Sequence, residues 1–173
     1  CEKFYNEPID MDGVHAKQGK INEDILSELM EHKFIQKMPP KSTGRHEFGR
    51  ELVNDIILSF SQVSPNDMIR TFCAFTARSI AENLNKFLNF NVTDIRLIIS
   101  GGGVHHPVLM EDIQRYTEIS DLQTADVLEI EPNMKEALLI AVIGVARMQE
   151  MIANMPTVTG AKKIAMLGDL VQY

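Results

Sequence analysis

Apolar residues recur at helical spacing through the first half of the chain. After Asn22, a residue type that caps helices, four apolar residues share one face of a predicted helix: Ile25, Leu26, Leu29 and Met30. A second helix is predicted through Phe48, Leu52, Ile56 and Ile57. The clearest helix start is Ser64-Pro65-Asn66-Asp67, with a capping serine, proline at the first position and an acid in the first turn. The pattern predicts that this helix is long and continues to about Phe87.

The second half of the chain mixes strand and helix patterns. Residues 95–100 are predicted to form a short buried strand that stops at Gly101-Gly102-Gly103, and Pro107 then opens a helix. A weaker extended segment is expected around residues 122–128. Pro132 opens a helix through Met148 whose middle, residues 137–144, is apolar on all sides, which predicts burial against a sheet or a partner subunit. Strands mixed with helices predict the α/β fold class.

Polar and turn-forming residues mark the remaining segments. Residues 1–20 form a turn-rich entry segment with the turn signal Asp12-Gly13. Residues 38–45 contain two prolines and a glycine, which interrupt both helices and strands, and residues 157–161 are predicted to form a loop. We expect one domain, or one lobe of a larger protein, because the chain has 173 residues.

Composition narrows the class of protein. With 45% hydrophobic and 24% charged residues the chain has enough apolar side chains for a core, and its net charge of −7 disfavours a nucleic-acid partner. Apolar runs stay short of membrane-spanning length and no signal peptide is visible, so we expect a cytoplasmic protein without a membrane partner. Cys1 and Cys73 form no disulfide or metal pattern, and Cys73 suits a helix core. The absence of an initial Met suggests a fragment, a processed product or an excised domain.

The three glycines carry the most distinctive chemistry of the sequence. Glycine lets the backbone approach a ligand closely, and a helix start just beyond it directs N–H groups toward an anion such as a phosphate. The same arrangement also serves strand-to-helix packing, so ligand contact and a tight structural turn stay equally open. His105 and His106 follow directly. Adjacent side chains rarely point the same way, which disfavours a paired metal site and favours a polar contact from one of them to a ligand.

Two further places hold candidate ligand-binding groups. Glu136 lies near the start of an apolar helix, where an acid stabilises the helix dipole. The alternative is a carboxylate in a cleft that binds sugar hydroxyls or a metal, and the residue pattern alone favours the first reading. Lys41, Ser42, Thr43 and Arg45 form a cluster of donors in the proline-braced loop, where such side chains are usually solvated.

Several segments together resemble one enzyme family. They occur in order as Asp12-Gly13 with Gly19-Lys20, residues 39–45 (PPKSTGR), residues 76–81 (TARSIA), Ser100 with the triple glycine and Pro107, Lys135-Glu136-Ala137, and residues 156–161 (PTVTGA) with Leu167-Gly168. This combination is similar to the C-terminal half of the anhydro-N-acetylmuramic acid kinase family, which also includes levoglucosan kinases. The similarity extends over nearly the whole chain.

The resemblance implies a helix-rich, ribonuclease-H-like lobe of an actin/Hsp70/hexokinase-type sugar kinase, with residues 1–173 as a single C-terminal nucleotide-binding lobe. Family members use ATP and Mg²⁺ to phosphorylate O6 of a 1,6-anhydrosugar while water opens the anhydro bridge. Gly101, Gly102, Gly103 and His106 then correspond to ATP-binding residues. Glu136 corresponds to a cleft carboxylate for sugar or metal, and Lys41, Thr43 and Arg45 belong to a family loop of unassigned contacts.

The sequence also departs from the family pattern. His106 stands where the family usually has Asn, and an imidazole still accepts or donates a hydrogen bond there. The phosphate loop Gly-Thr-Ser-x-Asp-Gly and the segment Asp-Thr-Gly-Pro-Gly-Asn, which carries the family's catalytic base, are absent. We therefore expect an inactive isolated chain whose partner is the missing N-terminal lobe. A non-catalytic remnant that binds nucleotide or a partner protein, and a levoglucosan kinase fragment, are the alternatives. Loss of one lobe would expose apolar surface and favour association, for example as a homodimer.

Overall fold

Helices make up most of the regular structure in the computed structural model, which describes residues 1–88 and 91–171. The helices are α1 (Glu2–Tyr5), α2 (Val14–Gln18), α3 (Glu23–Met30), α4 (Lys33–Gln36), α5 (Arg50–Ser59), α6 (Pro65–Phe87), α7 (Pro107–Thr117), α8 (Lys135–Met148) and α9 (Pro156–Thr159). Short 3₁₀ turns lie at Met11–Gly13, Val92–Asp94, Gly102–His105, Ala125–Leu128 and Pro132–Met134. Strands β1 (Arg96–Ile99) and β2 (Asp121–Thr124) pair in parallel, and α7 is the crossover between them. This arrangement supports the α/β class at the level of a helix-rich chain with a small parallel sheet.

The long helix α6 is the element around which the others pack. Ser64 caps it as predicted, because its hydroxyl accepts a hydrogen bond from the Asp67 amide at 3.1 Å, and Pro65 takes the first position. Helices α2, α3 and α7 contact it. Three alanines, Ala74, Ala77 and Ala81, are buried along its length. Small side chains of this kind let neighbouring helices approach closely.

The hydrophobic core lies between α3, α5 and α6. The apolar face predicted for the first helix is confirmed, since Ile25, Leu26, Leu29 and Met30 are all buried in this core. The side chain of Asn22 accepts a hydrogen bond from the Ile25 amide at 3.0 Å and caps the helix as expected. Helix α5 begins later than the pattern suggested, so Phe48 precedes it.

Two predictions of burial are wrong for the described residues. The predicted strand is present as β1, but its residues alternate between exposed and half-buried instead of being buried. Helix α8 is not buried against the sheet, since it has no buried residue and the exposed fraction of Ile140 is 67%; its burial against a partner subunit stays a prediction. The physical reason is the same in both cases, because the narrow sheet of β1 and β2 offers too little surface to cover them.

Two predictions of local structure also need correction. The extended segment expected at residues 122–128 is a strand only as far as Thr124, after which the chain turns into the 3₁₀ segment Ala125–Leu128. The loop expected at residues 157–161 includes most of α9, which ends at Gly160 in a left-handed conformation with φ of 79°. The entry segment of residues 1–20 contains helices α1 and α2 and the 3₁₀ turn Met11–Gly13. Within residues 1–88 and 91–171, every helix is too short or too polar to cross a membrane.

Candidate functional site

The glycine turn connects the end of β1 to the start of α7. Gly101 adopts φ of 94°, a conformation that residues with a Cβ rarely take, and the Val104 amide donates to the Gly101 carbonyl at 3.2 Å. A Cβ placed on Gly101 or Gly102 would meet no heavy atom within 4 Å. One side of this turn is therefore open to a ligand, and the start of an eleven-residue helix lies just beyond it.

His106 is the cap of α7, and its ring points into the protein. Its Nδ1 accepts a hydrogen bond from the Leu109 amide at 3.2 Å. Its Nε2 lies 3.3 Å from an oxygen of Asp10 and 3.8 Å from the sulfur of Cys73. An accepting Nδ1 and a carboxylate beside Nε2 assign the neutral tautomer with the proton on Nε2. Both ring nitrogens thus have partners inside the protein, while direct contact of His106 with ATP stays a prediction.

Asp10 is a buried residue of this site that the sequence did not reveal. Its two carboxylate oxygens accept hydrogen bonds from the backbone amides of His15 and Ala16, each at 2.9 Å, at the start of α2. Burial raises the pKa of Asp10, but these two amides and His106 together bring the pKa below its ordinary value. The residue is therefore an ionised carboxylate facing His106. The nearby turn signal Asp12-Gly13 was the only hint in the sequence.

Two small residues complete the packing around His106. Gly13 has φ of 67°, and a Cβ there would lie 3.1 Å from Cε1 of His106. Cys73 extends from α6 toward the same ring. Burial raises the pKa of the Cys73 thiol to about 11, so this cysteine is neutral at physiological pH. That agrees with its expected place in a helix core.

Glu136 does not point into a cleft of the described residues. Its side chain is 71% exposed, and the Lys135 ammonium is 3.8 Å away. A contact between His105 Nε2 and the Asn133 side chain, at 3.3 Å, joins the glycine turn to the segment just before α8. The structure thus brings the triple glycine and the start of the Glu136 helix together. It also confirms that the two histidines diverge.

The donors of the PPKSTGR loop form a separate group. The Lys41 ammonium donates to the carbonyls of Phe34 and Ile35 at 3.0 and 3.2 Å and lies over the rings of Phe34 and Phe87. Burial lowers the pKa of Lys41, and the charges of Lys86 and Lys37 lower it further. The lysine predicted as a free loop donor instead fastens the loop to α4 and the end of α6.

Thr43 and Arg45 of the same loop do not share the contacts of Lys41. Thr43 donates to Glu47 at 2.9 Å, and Arg45 is exposed. Lys41 lies far from the glycine turn, because it contacts Phe87 whereas His106 contacts Cys73. These two α6 residues are about 21 Å apart along the helix axis. The structure therefore separates Lys41 from the glycine turn, while Thr43 lies beside the middle of α6.

A pocket of about 360 Å³ lies beside this loop. Thr43 of the loop and Thr76, Ser79 and Ile80 of α6 line it together with three phenylalanine rings, Phe34, Phe48 and Phe75. The Thr76 and Ser79 hydroxyls donate to carbonyls of their own helix. The two segments PPKSTGR and TARSIA, far apart in the chain, thus meet at one mainly apolar pocket.

The described residues do not form a metal-binding site by themselves. Within residues 1–88 and 91–171, no group of three or more His, Cys, Asp or Glu side chains lies close enough to hold a metal ion. A metal at the glycine turn would need ligands from a bound molecule or from another part of the protein. Mg²⁺ accepts such an arrangement, since it is commonly held by substrate phosphates and one or two carboxylates.

Comparisons with known proteins identify relatives along the whole chain. A family model described as "Anhydro-N-acetylmuramic acid kinase" matches residues 1–173. Proteins of that name from Clostridioides difficile (strain 630) and Francisella tularensis subsp. novicida (strain U112) are each 34% identical over 98% of this chain and 44% of their own length. A protein of the same name from Salinibacter ruber is 35% identical over 97% of this chain and 43% of its own length. The chain thus spans less than half the length of these relatives.

Proposed function

Because the chain belongs to the anhydro-N-acetylmuramic acid kinase family, we propose that it is the C-terminal, nucleotide-binding lobe of an ATP-dependent 1,6-anhydrosugar kinase. In the intact enzyme, water opens the anhydro bridge while O6 accepts the γ-phosphoryl group of ATP. A ribonuclease-H-like lobe is the fold that we propose for the complete domain. The observation that carries the proposal is the open glycine turn between β1 and α7 in a chain of this family.

The glycine turn is proposed as the ATP-contacting corner. Gly101 and Gly102 leave space for close approach of a ligand, and Gly103 continues the turn toward α7. The N-terminus of α7 carries partial positive charge, which favours phosphate groups nearby. His106 contributes as the cap that holds this helix start in place.

Glu136 and Mg²⁺ form a second part of the proposal. The exposed carboxylate of Glu136 is available to sugar hydroxyls or to an ion, and its helix starts beside the glycine turn. Mg²⁺ bound with ATP would neutralise charge on the phosphates during transfer. Thr43 and Arg45 are proposed to contact a bound ligand from the PPKSTGR loop. Lys41 would act by holding that loop against α4.

The missing N-terminal lobe is the proposed partner of this chain. Helix α8 presents Leu139, Ile140 and Val142 with exposed fractions of 55%, 67% and 57%, an apolar surface that a partner would cover. The relatives are more than twice as long as the matched segment, which supplies the length for such a partner. That lobe would also provide the catalytic base. Anhydro-N-acetylmuramic acid is the proposed sugar, and levoglucosan is the alternative.

A substitution at Gly102 tests the ATP-binding corner. Gly102→Val fits the structure without a clash, since an added Cβ has open space around it, yet its branched side chain would occupy the surface that ATP must approach. We expect calorimetry with ATP and Mg²⁺ to show at least about a tenfold loss of affinity, the equivalent of about 1.4 kcal/mol. Thermal unfolding should show that the variant remains folded.

Gly144→Val is the matched control for this experiment. Gly144 lies in exposed α8, and a Cβ there also meets no atom within 4 Å. This control should leave the ATP affinity unchanged. Equal binding heats for the native chain and Gly102→Val would remove the glycine turn from the proposal.

A further inference from the structure

One buried carboxylate connects the entry segment to the glycine turn. Asp10 precedes α2, yet one of its oxygens lies 3.3 Å from Nε2 of His106, a residue 96 positions later in the chain. The side chain of Asp10 is 5% exposed and that of His106 is 17% exposed. The contact therefore forms away from bulk water, where a hydrogen bond to an ionised group is comparatively strong.

The state of the His106 ring decides whether the helix beyond the glycine turn is capped. Nδ1 is able to accept the Leu109 amide only when it carries no proton. A carboxylate beside Nε2 favours the tautomer whose proton is on Nε2, and this tautomer leaves Nδ1 unprotonated. Asp10 thus selects the form of His106 that caps α7.

The side chain of Asp10 is itself fixed by its surroundings. Its carboxylate accepts two amides of α2, and Gly13 packs against the His106 ring with no room for a larger side chain. Helix α2 in turn packs against α6. The first turn of α7 is therefore held to the helical core through Asp10 and His106.

We propose that Asp10 is a positioning residue for the ATP-binding corner, acting through His106, an inference that rests on the proposed function. In this proposal Asp10 acts on the glycine turn only through His106. It fixes the His106 tautomer, the tautomer keeps the α7 cap, and the cap holds the glycine turn in the geometry that receives phosphate.

The variant Asp10→Asn tests whether Asp10 selects the tautomer of His106. Oδ1 of Asp10 accepts the His15 amide, while Oδ2 accepts the Ala16 amide and faces Nε2 of His106, so an asparagine must place its NH₂ group at one of these two positions. When its oxygen stays with the His15 amide, the NH₂ group faces His106. A donor beside Nε2 favours the tautomer with the proton on Nδ1, which opposes the Leu109 amide. We expect nitrogen NMR of the nucleotide-free native chain to show His106 protonated at Nε2, and Asp10→Asn to move it toward Nδ1. A native His106 protonated at Nδ1 would overturn the inference.

A second substitution separates this role from simple capping of α2. In His106→Asn, the side-chain oxygen takes the place of Nδ1 and keeps the α7 cap, but no atom reaches Asp10. We expect Asp10→Asn to weaken binding of ATP with Mg²⁺ about fivefold to tenfold, the range for loss of a helix cap. Adding His106→Asn to Asp10→Asn should restore most of that affinity. Equal losses from Asp10→Asn in both backgrounds would show that Asp10 acts only on α2.

Asp112→Asn is the matched control. Asp112 is 4% exposed and pairs with Arg70 between α6 and α7, without touching His106. Its substitution should lower the free energy of unfolding but leave the His106 tautomer and the ATP affinity unchanged. If the native chain bound no ATP, the proposed function would fail. The tautomer comparison needs no nucleotide and would still decide whether Asp10 controls His106.

Discussion

Partners in distant elements fix the roles of His106 and Lys41, since Asp10 faces the imidazole and two α4 carbonyls accept from the ammonium. The sequence identified His106, after the triple glycine, and Lys41, in the PPKSTGR loop, as polar groups that could bind a ligand. It did not show that His106 meets Asp10, 96 positions away, or that Lys41 donates to the carbonyls of its preceding helix. Such contacts depend on packing between distant elements and leave no local pattern. The caps at Asn22 and Ser64 were predictable, because their partners lie three residues away.

Cys73 should be a poorly reactive thiol. Its pKa of about 11 leaves, at pH 8, on the order of a hundredfold less thiolate than an ordinary cysteine has. In a Cys1→Ser background, alkylation of Cys73 by iodoacetamide should therefore be slower by about two orders of magnitude in the folded chain than in urea. Equal rates in the two conditions would contradict the buried position given to this thiol.

At the scale of elements, helix starts and amphipathic faces were readable from the sequence, while burial of uniformly apolar segments was not. Helix α3 has one apolar face, so its sequence pattern predicts both the helix and the face that packs against the core. The residues of α8 are apolar on all sides, and such a pattern does not predict which face of the helix packs against another element. Its burial depends on whether a covering element is present. The same holds for β1, whose burial depends on the number of strands and helices around it.

Matched leucine truncations measure this difference between α3 and α8. Leu26 is 1% exposed in the core, whereas Leu138 of α8 is 46% exposed. We expect Leu26→Ala to lower the free energy of unfolding by about 2–5 kcal/mol and Leu138→Ala to change it by less than about 1 kcal/mol. Urea denaturation followed by circular dichroism measures both values. A comparable loss for Leu138→Ala would mean that α8 is packed against something in the isolated chain.

At the scale of the whole molecule, the structure is a helical core joined to a parallel β–α–β unit and an exposed apolar helix. The chain covers 44% of the length of relatives such as the Clostridioides difficile protein. Family membership was predictable because several short segments occur in the right order. The width of the sheet and the exposure of α8 were not, since they depend on packing between distant elements, which leaves no local pattern.

The isolated chain should lack kinase activity. The family segment with the catalytic base is absent from its sequence, so ATP with either anhydrosugar should give no phosphorylated product. Addition of a separately produced N-terminal lobe, encoded by the same gene, should restore product formation as followed by mass spectrometry. Phosphorylation by the chain alone would show that the base is not in the missing lobe. Binding of ATP without any restored activity would favour the non-catalytic remnant.

The most direct test of the account is an amide NMR titration of the native chain with ATP and Mg²⁺. If the glycine turn is the nucleotide corner, the largest shift changes should fall on Gly101 to Val104 and on the first turn of α7. The amides around Lys41, which lies at the other end of α6, should change little. Changes centred on that loop and its apolar pocket, with none at the glycine turn, would contradict the central claim.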